Sequence, residues 1–256
     1  ARSDGDAIAL RFDAELRDVQ TRALAALFTG PFREGGDGGG MTVIPCGMGK
    51  TVLAIASIAR LGRKAGVLVH TSVLKSQWKA SIEQFCPGVR VGYVQGNTFD
   101  VDDKDVVIMM VQTVAKRQFA PEELASFGVL VVDESHHLAA PMLSSALPCF
   151  RARYVLALTA TKERADGLTH LLHWSMGPEV FRAERKDQHV SVRIEEFPTT
   201  GAEKVTRDGR PLVALMLNLL AKHPARNRYL VRRLLELHAE GRTVIFLSHR
   251  TAQLQA

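Results

Sequence analysis

The segment VIPCGMGKTVLA, residues 43–54, runs from apolar residues into glycines, a lysine and a threonine, an order suited to phosphate chemistry. Gly47 and Gly49 carry no side chain to hold an anion off, so backbone N–H groups can converge on a β-phosphate. Lys50 can neutralise β- and γ-phosphates, and the Thr51 hydroxyl can ligate Mg²⁺. Met48 stands between the glycines, where the backbone donors do the work and its side chain is tolerated. The segment departs from G-x-x-x-x-G-K-[ST], because Ile44 falls where the first glycine belongs. Taken alone, a G-x-G-K-T at a helix start also arises by chance.

A second segment, GVLVVDESHH at 128–137, settles the matter in favour of a phosphate loop. Its apolar strand ends on Asp133 and Glu134. Asp133 can hold Mg²⁺, directly or through water, and Glu134 can orient and deprotonate an attacking water. An acidic pair ending a strand is by itself often only a helix cap and first-turn charge. Following a phosphate loop in the same alternating chain, it reads as the metal and base site. His136 and His137 lack the H-E-x-x-H spacing and a partner cluster, so they do not suggest zinc. A third segment, LALTATKERADG at 156–167, ends another apolar strand on Thr159 and Thr161.

The elements that must position these groups are legible as short apolar runs alternating with amphipathic stretches. Strands are expected at 41–45, 66–70, 89–94, 105–111, 128–133 and 154–160, and helices at 50–61, 74–85 and 142–149. Such a pattern implies an α/β fold, a parallel sheet covered on both faces by helices, with ligands at the carboxyl ends of the strands. REGGDGGG at 33–40 reads as a flexible loop. After residue 184 the pattern restarts with a strand-like HVSVRIEEF at 189–197, a helix near 225–240 and a strand at 243–247. Because an unpaired apolar strand is a liability, the chain is expected to be a fragment cut early in a second domain. Residues 12–184 form the expected first domain, and 185–256 the linker and start of the second.

Composition narrows the class. Of 256 residues, 46% are hydrophobic, enough to fill a core, and no run is long enough to span a bilayer. Cys46, Cys86 and Cys149 form no C-x-x-C pair, so neither a disulfide framework nor a zinc ribbon is encoded, and a reducing intracellular compartment fits. The net charge of +6 lies wholly in residues 201–256, which carry 10 Lys or Arg against 4 Asp or Glu. That excess is compatible with nucleic acid and equally with a solvated helix face.

Together PCGMGKT, DESHH and LTAT resemble motifs I, II and III of superfamily-2 helicases. The resemblance extends further. LRDVQTRALAAL (16–27) is similar to the segment before motif I, with Val19 in place of the usual aromatic. VLVHTSVLKSQWKASIEQF resembles motif Ia with its Q-W continuation, and VVIMMVQTVAKR a strand whose Q-T end meets nucleic acid. LALTATKERADGLTHLLHWSMGPEVF points to helicases of the xeroderma-pigmentosum-B kind, and to the transcript-release helicases of poxviruses and other large DNA viruses. PCG-x-GK is that subclass's own form of the loop, which accounts for Ile44.

The resemblance implies two RecA-like domains, ATP and Mg²⁺ as cofactors, and nucleic acid as partner, with DNA favoured over RNA. It implies an ATP-dependent helicase or translocase in viral-type transcription or repair, in contact with transcription machinery, in a nucleus, a cytoplasmic factory or a virion. The alternatives are a restriction-enzyme translocase subunit and a nucleotide-binding module without motor activity. Residue by residue, it assigns adenine recognition to Arg17 and Gln20, coupling to His136 with Thr159 and Thr161, and strand contact to Thr71, Ser72, Gln112 and Thr113. Trp78 and Trp174 read as packing anchors, and His170 with His173 as a solvated helix face. Motifs V and VI are missing, and the arginine finger they bring is worth on the order of 10³ to 10⁵ in rate. The 256-residue chain is therefore expected to bind ATP weakly, hydrolyse it slowly and unwind nothing.

Overall fold

The computed structural model describes residues 2–36, 38–120, 122–133, 140–160, 174–184, 191–198, 204–206, 208, 210–248 and 250–254. Glu134, His136, His137, Thr161, His170 and His173 lie outside the described residues. The chain divides into two compact units, Ala1–Asp187 and Gln188–Ala256. No helix among the described residues is long and apolar enough to cross a membrane.

The first unit contains α1 (Asp18–Thr29), β1 (Gly39–Val43), α2 (Lys50–Leu61), β2 (Ala65–Val69), α3 (Ser72–Phe85), β3 (Val91–Gln95) and β4 (Thr98–Asp100). It continues with β5 (Val106–Met110), α4 (Val111–Lys116), β6 (Val129–Val132), α5 (Ala140–Ala146), β7 (Tyr154–Thr159) and β8 (Glu179–Arg182). The eight strands form one sheet in the order β4-β3-β5-β2-β6-β7-β1-β8. Every pairing is parallel except the β3–β4 hairpin.

Strand residues alternate between two buried clusters, one on each face of the sheet. Leu68, Val107 and Leu130 pack on one side, whereas Val67, Ile108 and Val131 pack on the other with Leu53, Ile55 and Trp78 from the helices. This is why the strands read as continuous apolar runs instead of alternating ones. Parallel order puts the carboxyl ends of β1, β2, β5, β6 and β7 on one edge. The candidate phosphate, metal and strand-contact residues follow those ends, whereas Arg17 and Gln20 stand at the start of α1.

Two expectations need correcting here. The glycine-rich stretch before β1 is not all loop: Gly38, Gly39 and Gly40 are buried, and β1 begins at Gly39. A Cβ at Gly39 would stand 2.9 Å from the Met176 carbonyl oxygen, and one at Gly40 2.8 Å from Val180 Cγ2, so glycine permits the close approach of neighbouring chain. The helix expected at 142–149 is α5 followed by a 3₁₀ turn over Leu147–Cys149, where Pro148 interrupts the α-helical ladder.

The second unit holds α6 (Val213–Ala221), α7 (Pro224–Ala239) and α8 (Thr251–Leu254). The strands expected at 189–197 and 243–247 do not form among the described residues. Val192, Ile194, Ile245 and Leu247 are exposed there. A β-segment needs a neighbour to satisfy its N–H and C=O groups, and no ladder partner is described within this unit. The α7 helix matches expectation: Pro224 opens it, and His223 Nδ1 accepts the Arg226 N–H at 3.2 Å.

Candidate functional site

The phosphate-loop candidate spans the gap between β1 and α2. Ile44 continues the strand, donating its N–H to the Thr159 carbonyl at 2.9 Å, and its side chain is fully buried. The position of the missing glycine is thus a core position. The loop then turns: Gly47 and Gly49 have φ of 81° and 82°, the left-handed region open to glycine. A Cβ at Gly47 would meet nothing within 4 Å, so the bend faces open space. A Cβ at Gly49 would stand 2.1 Å from Gln20 Nε2, so a side chain there would displace the Gln20 amide as well as strain the backbone. Lys50 and Thr51 begin α2, whose first turn carries no acidic residue, leaving the positive end of the helix unopposed. Lys50 is 8% exposed, with Nζ 3.8 Å from Cys46 Sγ.

Gln20 holds the loop from behind. It is buried, donates Nε2–H to the Gly49 carbonyl at 3.0 Å, and accepts the Arg17 N–H on Oε1 at 2.8 Å. Both ends of its amide are therefore spent on the protein. The Arg17 side chain is exposed at the start of α1.

Asp133 follows β6, two strands from β1, which places it on the order of 10 Å away at the usual strand spacing. It is 4% exposed, and its N–H donates to the Leu68 carbonyl at 3.1 Å. Its Oδ2 accepts the indole N–H of Trp78 at 2.7 Å. Thr159 ends β7, the strand between β6 and β1, and is buried. The sheet thus places Gly47–Thr51, Thr159 and Asp133 side by side on one edge. The donor set suits a magnesium nucleotide: glycine N–H groups and an ammonium for the phosphates, a hydroxyl and a carboxylate for the metal.

Farther along the same edge lie the residues expected to meet a strand. Thr71 Oγ1 accepts the Leu74 N–H at 3.2 Å as the N-cap of α3, and Ser72 is exposed beside it. Gln112 donates Nε2–H to the His70 carbonyl at 2.8 Å, while its Oε1 is buried without a hydrogen-bond partner among the described residues. Thr113 Oγ1 accepts the Gly96 N–H at 3.0 Å, fixing the β3–β4 turn against α4. A cavity of about 570 Å³ opens there, lined by Gly96, Asn97, Gln112, Thr113, Lys116 and Arg117. Arg117 is tied to Glu123 at 3.1 Å and stacked 4.3 Å from the centre of Phe99, so Lys116 is the solvent-exposed cation of the cavity. Asn97 had no motif to mark it, and Lys116 lay within the VVIMMVQTVAKR segment without a role assigned to it.

The two tryptophans differ. Trp78 is 1% exposed, a packing anchor as expected, with the added bond to Asp133 that sequence reasoning missed. Trp174 is 82% exposed and does not anchor its own unit's core, because the helical turn carrying it buries Met176 instead.

Residues 13–164 match the family model described as the type III restriction enzyme, res subunit. The chain belongs to this family. Its relatives carry helicase names, in line with the superfamily-2 resemblance. The L396 protein of Acanthamoeba polyphaga mimivirus, whose name describes an ATP-dependent RNA helicase, is 29% identical over 85% of this chain and 43% of its own. The DNA 3'-5' helicase XPB of Mycobacterium tuberculosis is 28% identical over 99% of this chain and 51% of its own. The chain spans about half the length of these relatives. The UvsW helicase of bacteriophage T4 shares the fold, with a TM-score of 0.55, 18% identity, and coverage of 70% of this chain and 64% of that one. The res-subunit match ends within the first unit, and it contains the phosphate loop, Trp78, Gln112 and Asp133.

Proposed function

We propose that the chain is the ATP-binding part of a motor that couples hydrolysis to movement along nucleic acid, DNA in preference to RNA. The observation that carries this reading is the single sheet edge shared by the phosphate loop, Asp133 and the Gln112 cavity. A nucleotide switch or kinase needs only the first two of these.

In this reading the N–H groups around Gly47 and Gly49 bind the β-phosphate, and Lys50 spans the β- and γ-phosphates. Thr51 and Asp133 would hold Mg²⁺, which would supply positive charge at the phosphate oxygens. Glu134 orients and deprotonates water, and His136 with Thr159 and Thr161 relays the state of the site to the strand-binding edge. Gln20 reaches an adenine by exchanging its bond to Gly49, which would link base recognition to the loop. Thr71, Ser72, Gln112, Thr113 and Lys116 hold the strand by its backbone. The setting we infer is transcription or repair of DNA inside a cell, with the transcription machinery as a protein partner.

The test is thermodynamic coupling. ATP affinity and turnover are measured with and without saturating single-stranded DNA or RNA; a motor predicts that nucleic acid changes both, and DNA more than RNA. Binding of ATP that ignores both polymers would reduce the protein to a nucleotide-binding module. The res-subunit description favours one second reading, a translocase serving a restriction enzyme. ATP-dependent cleavage of plasmid DNA by the full-length protein would select it.

A further inference from the structure

We infer that Trp78 is a positioning residue for the metal site: its indole N–H fixes the orientation of the Asp133 carboxylate. The inference rests on the proposed role of Asp133 as a magnesium ligand. Trp78 lies two turns into α3 and is enclosed in the core cluster between that helix and the sheet. Indole has one polar atom, a donor with no acceptor capacity, so its bond reports what the site has been built around. That donor meets Asp133 Oδ2 at 2.7 Å, the short length of a charge-assisted bond. A side chain serving only to fill space would reach the same burial as phenylalanine, with no buried N–H to satisfy.

The geometry restricts the carboxylate from two sides. The backbone of Asp133 is tied to β2 through the Leu68 carbonyl. Its Oδ2 is held by Trp78, and rotation of the carboxylate would break that bond inside a buried site. The direction in which the group can accept a metal or a metal-bound water is thereby fixed before the ion arrives. Mg²⁺ demands near-octahedral geometry, so a carboxylate set in advance lowers the cost of ordering the site. Groups that orient metal ligands in this way typically change metal affinity by about 10–100-fold when removed. Nothing in the Q-W dipeptide signals this, because Trp78 and Asp133 are 55 residues apart in sequence.

The test uses Mn²⁺ as the probe, with the 256-residue chain and ADP, and free Mn²⁺ read by electron paramagnetic resonance. Trp78→Phe keeps an aromatic ring and removes the N–H. The expected result is an apparent Mn²⁺ Kd raised about tenfold, with the metal-free ADP affinity unchanged. A folded Trp78→Phe chain with wild-type Mn²⁺ affinity would overturn the inference. If the smaller ring prevents folding, replacement of Trp78 by 3-benzothienylalanine keeps both rings, lacks only the donor, and carries the same two outcomes. Asp133→Asn separates the layers of the argument. Should Asp133→Asn bind Mn²⁺ as the wild type does, the metal role of Asp133 itself is wrong. Should it lose Mn²⁺ while the donor-free variant does not, only the positioning role falls.

Discussion

The two edges of the one sheet are finished differently. At the amino edge several charged groups are tied to the protein itself. Lys64 donates to the Val101 carbonyl at 2.7 Å, and Arg90 grips both oxygens of Asp105 at 3.2 and 2.7 Å. Residues 3–8 form a strap across the starts of β2, β6 and β7, with hydrogen bonds from Ser3 to Arg151 and from Ile8 to Gly62. The strap lies so close that a Cβ at Gly128 would sit 1.9 Å from the Asp4 carbonyl oxygen. At the carboxyl edge, by contrast, the bend at Gly47 opens onto free space, and Gln112 Oε1 has no hydrogen-bond partner among the described residues. Buried polar groups are normally satisfied, so this oxygen is in keeping with the strand-binding role proposed for Gln112.

The difference is broken most severely by Lys50→Ala. ATP affinity or turnover should fall by on the order of 10²-fold or more, the scale of losing a charge-stabilising donor, whereas the melting temperature should stay close to that of the wild type. Calorimetric titration and thermal unfolding check the two halves. Gly128→Ala should do the opposite: it overpacks the strap and costs about 1–3 kcal/mol in denaturant unfolding, with ATP affinity of the folded chain unchanged.

Asp105→Asn probes the amino edge through pH. Burial raises the Asp105 carboxyl, but the hydrogen bonds and charge of Arg90 outweigh it and hold the group below its ordinary value of 3.8. A depressed carboxylate contributes stability that is present above its unfolded value and lost as pH falls through the folded one. The wild type should therefore melt above Asp105→Asn at pH 7, and the gap should close only below about pH 4. A constant gap across that range would assign the effect to packing instead. The smallest change is expected from Gln112→Ala, which removes the His70 contact and the buried Oε1. DNA affinity by fluorescence anisotropy should weaken about fivefold, the worth of one hydrogen bond, with ATP affinity intact.

Sequence reasoning went furthest where punctuation is local. The bounds of α2 are those expected, because Gly49 opens it and Gly62, at a φ of 61°, closes it. The central strands were legible because they are apolar on both faces. Expectation failed at 243–247, where an apolar run has composition in its favour but no partner for its backbone. It was silent on the strap at 3–8, whose residues carry no periodic pattern. At the candidate site, residue types marked the phosphate-loop segment and Asp133, since each follows its own strand. The Gln20–Gly49 and Trp78–Asp133 bonds were hidden, because they join residues 29 and 55 positions apart and only the sheet order brings them together.

The central claim is that Gly47–Thr51 and Asp133 form one magnesium-nucleotide site. Isothermal titration of the 256-residue chain with ATP, with and without Mg²⁺, tests it most directly when Lys50→Ala and Asp133→Asn are run alongside. The account predicts one saturable site, tightened by Mg²⁺ in the wild type, lost in Lys50→Ala, and indifferent to Mg²⁺ in Asp133→Asn. Equal ATP binding by all three chains would contradict it.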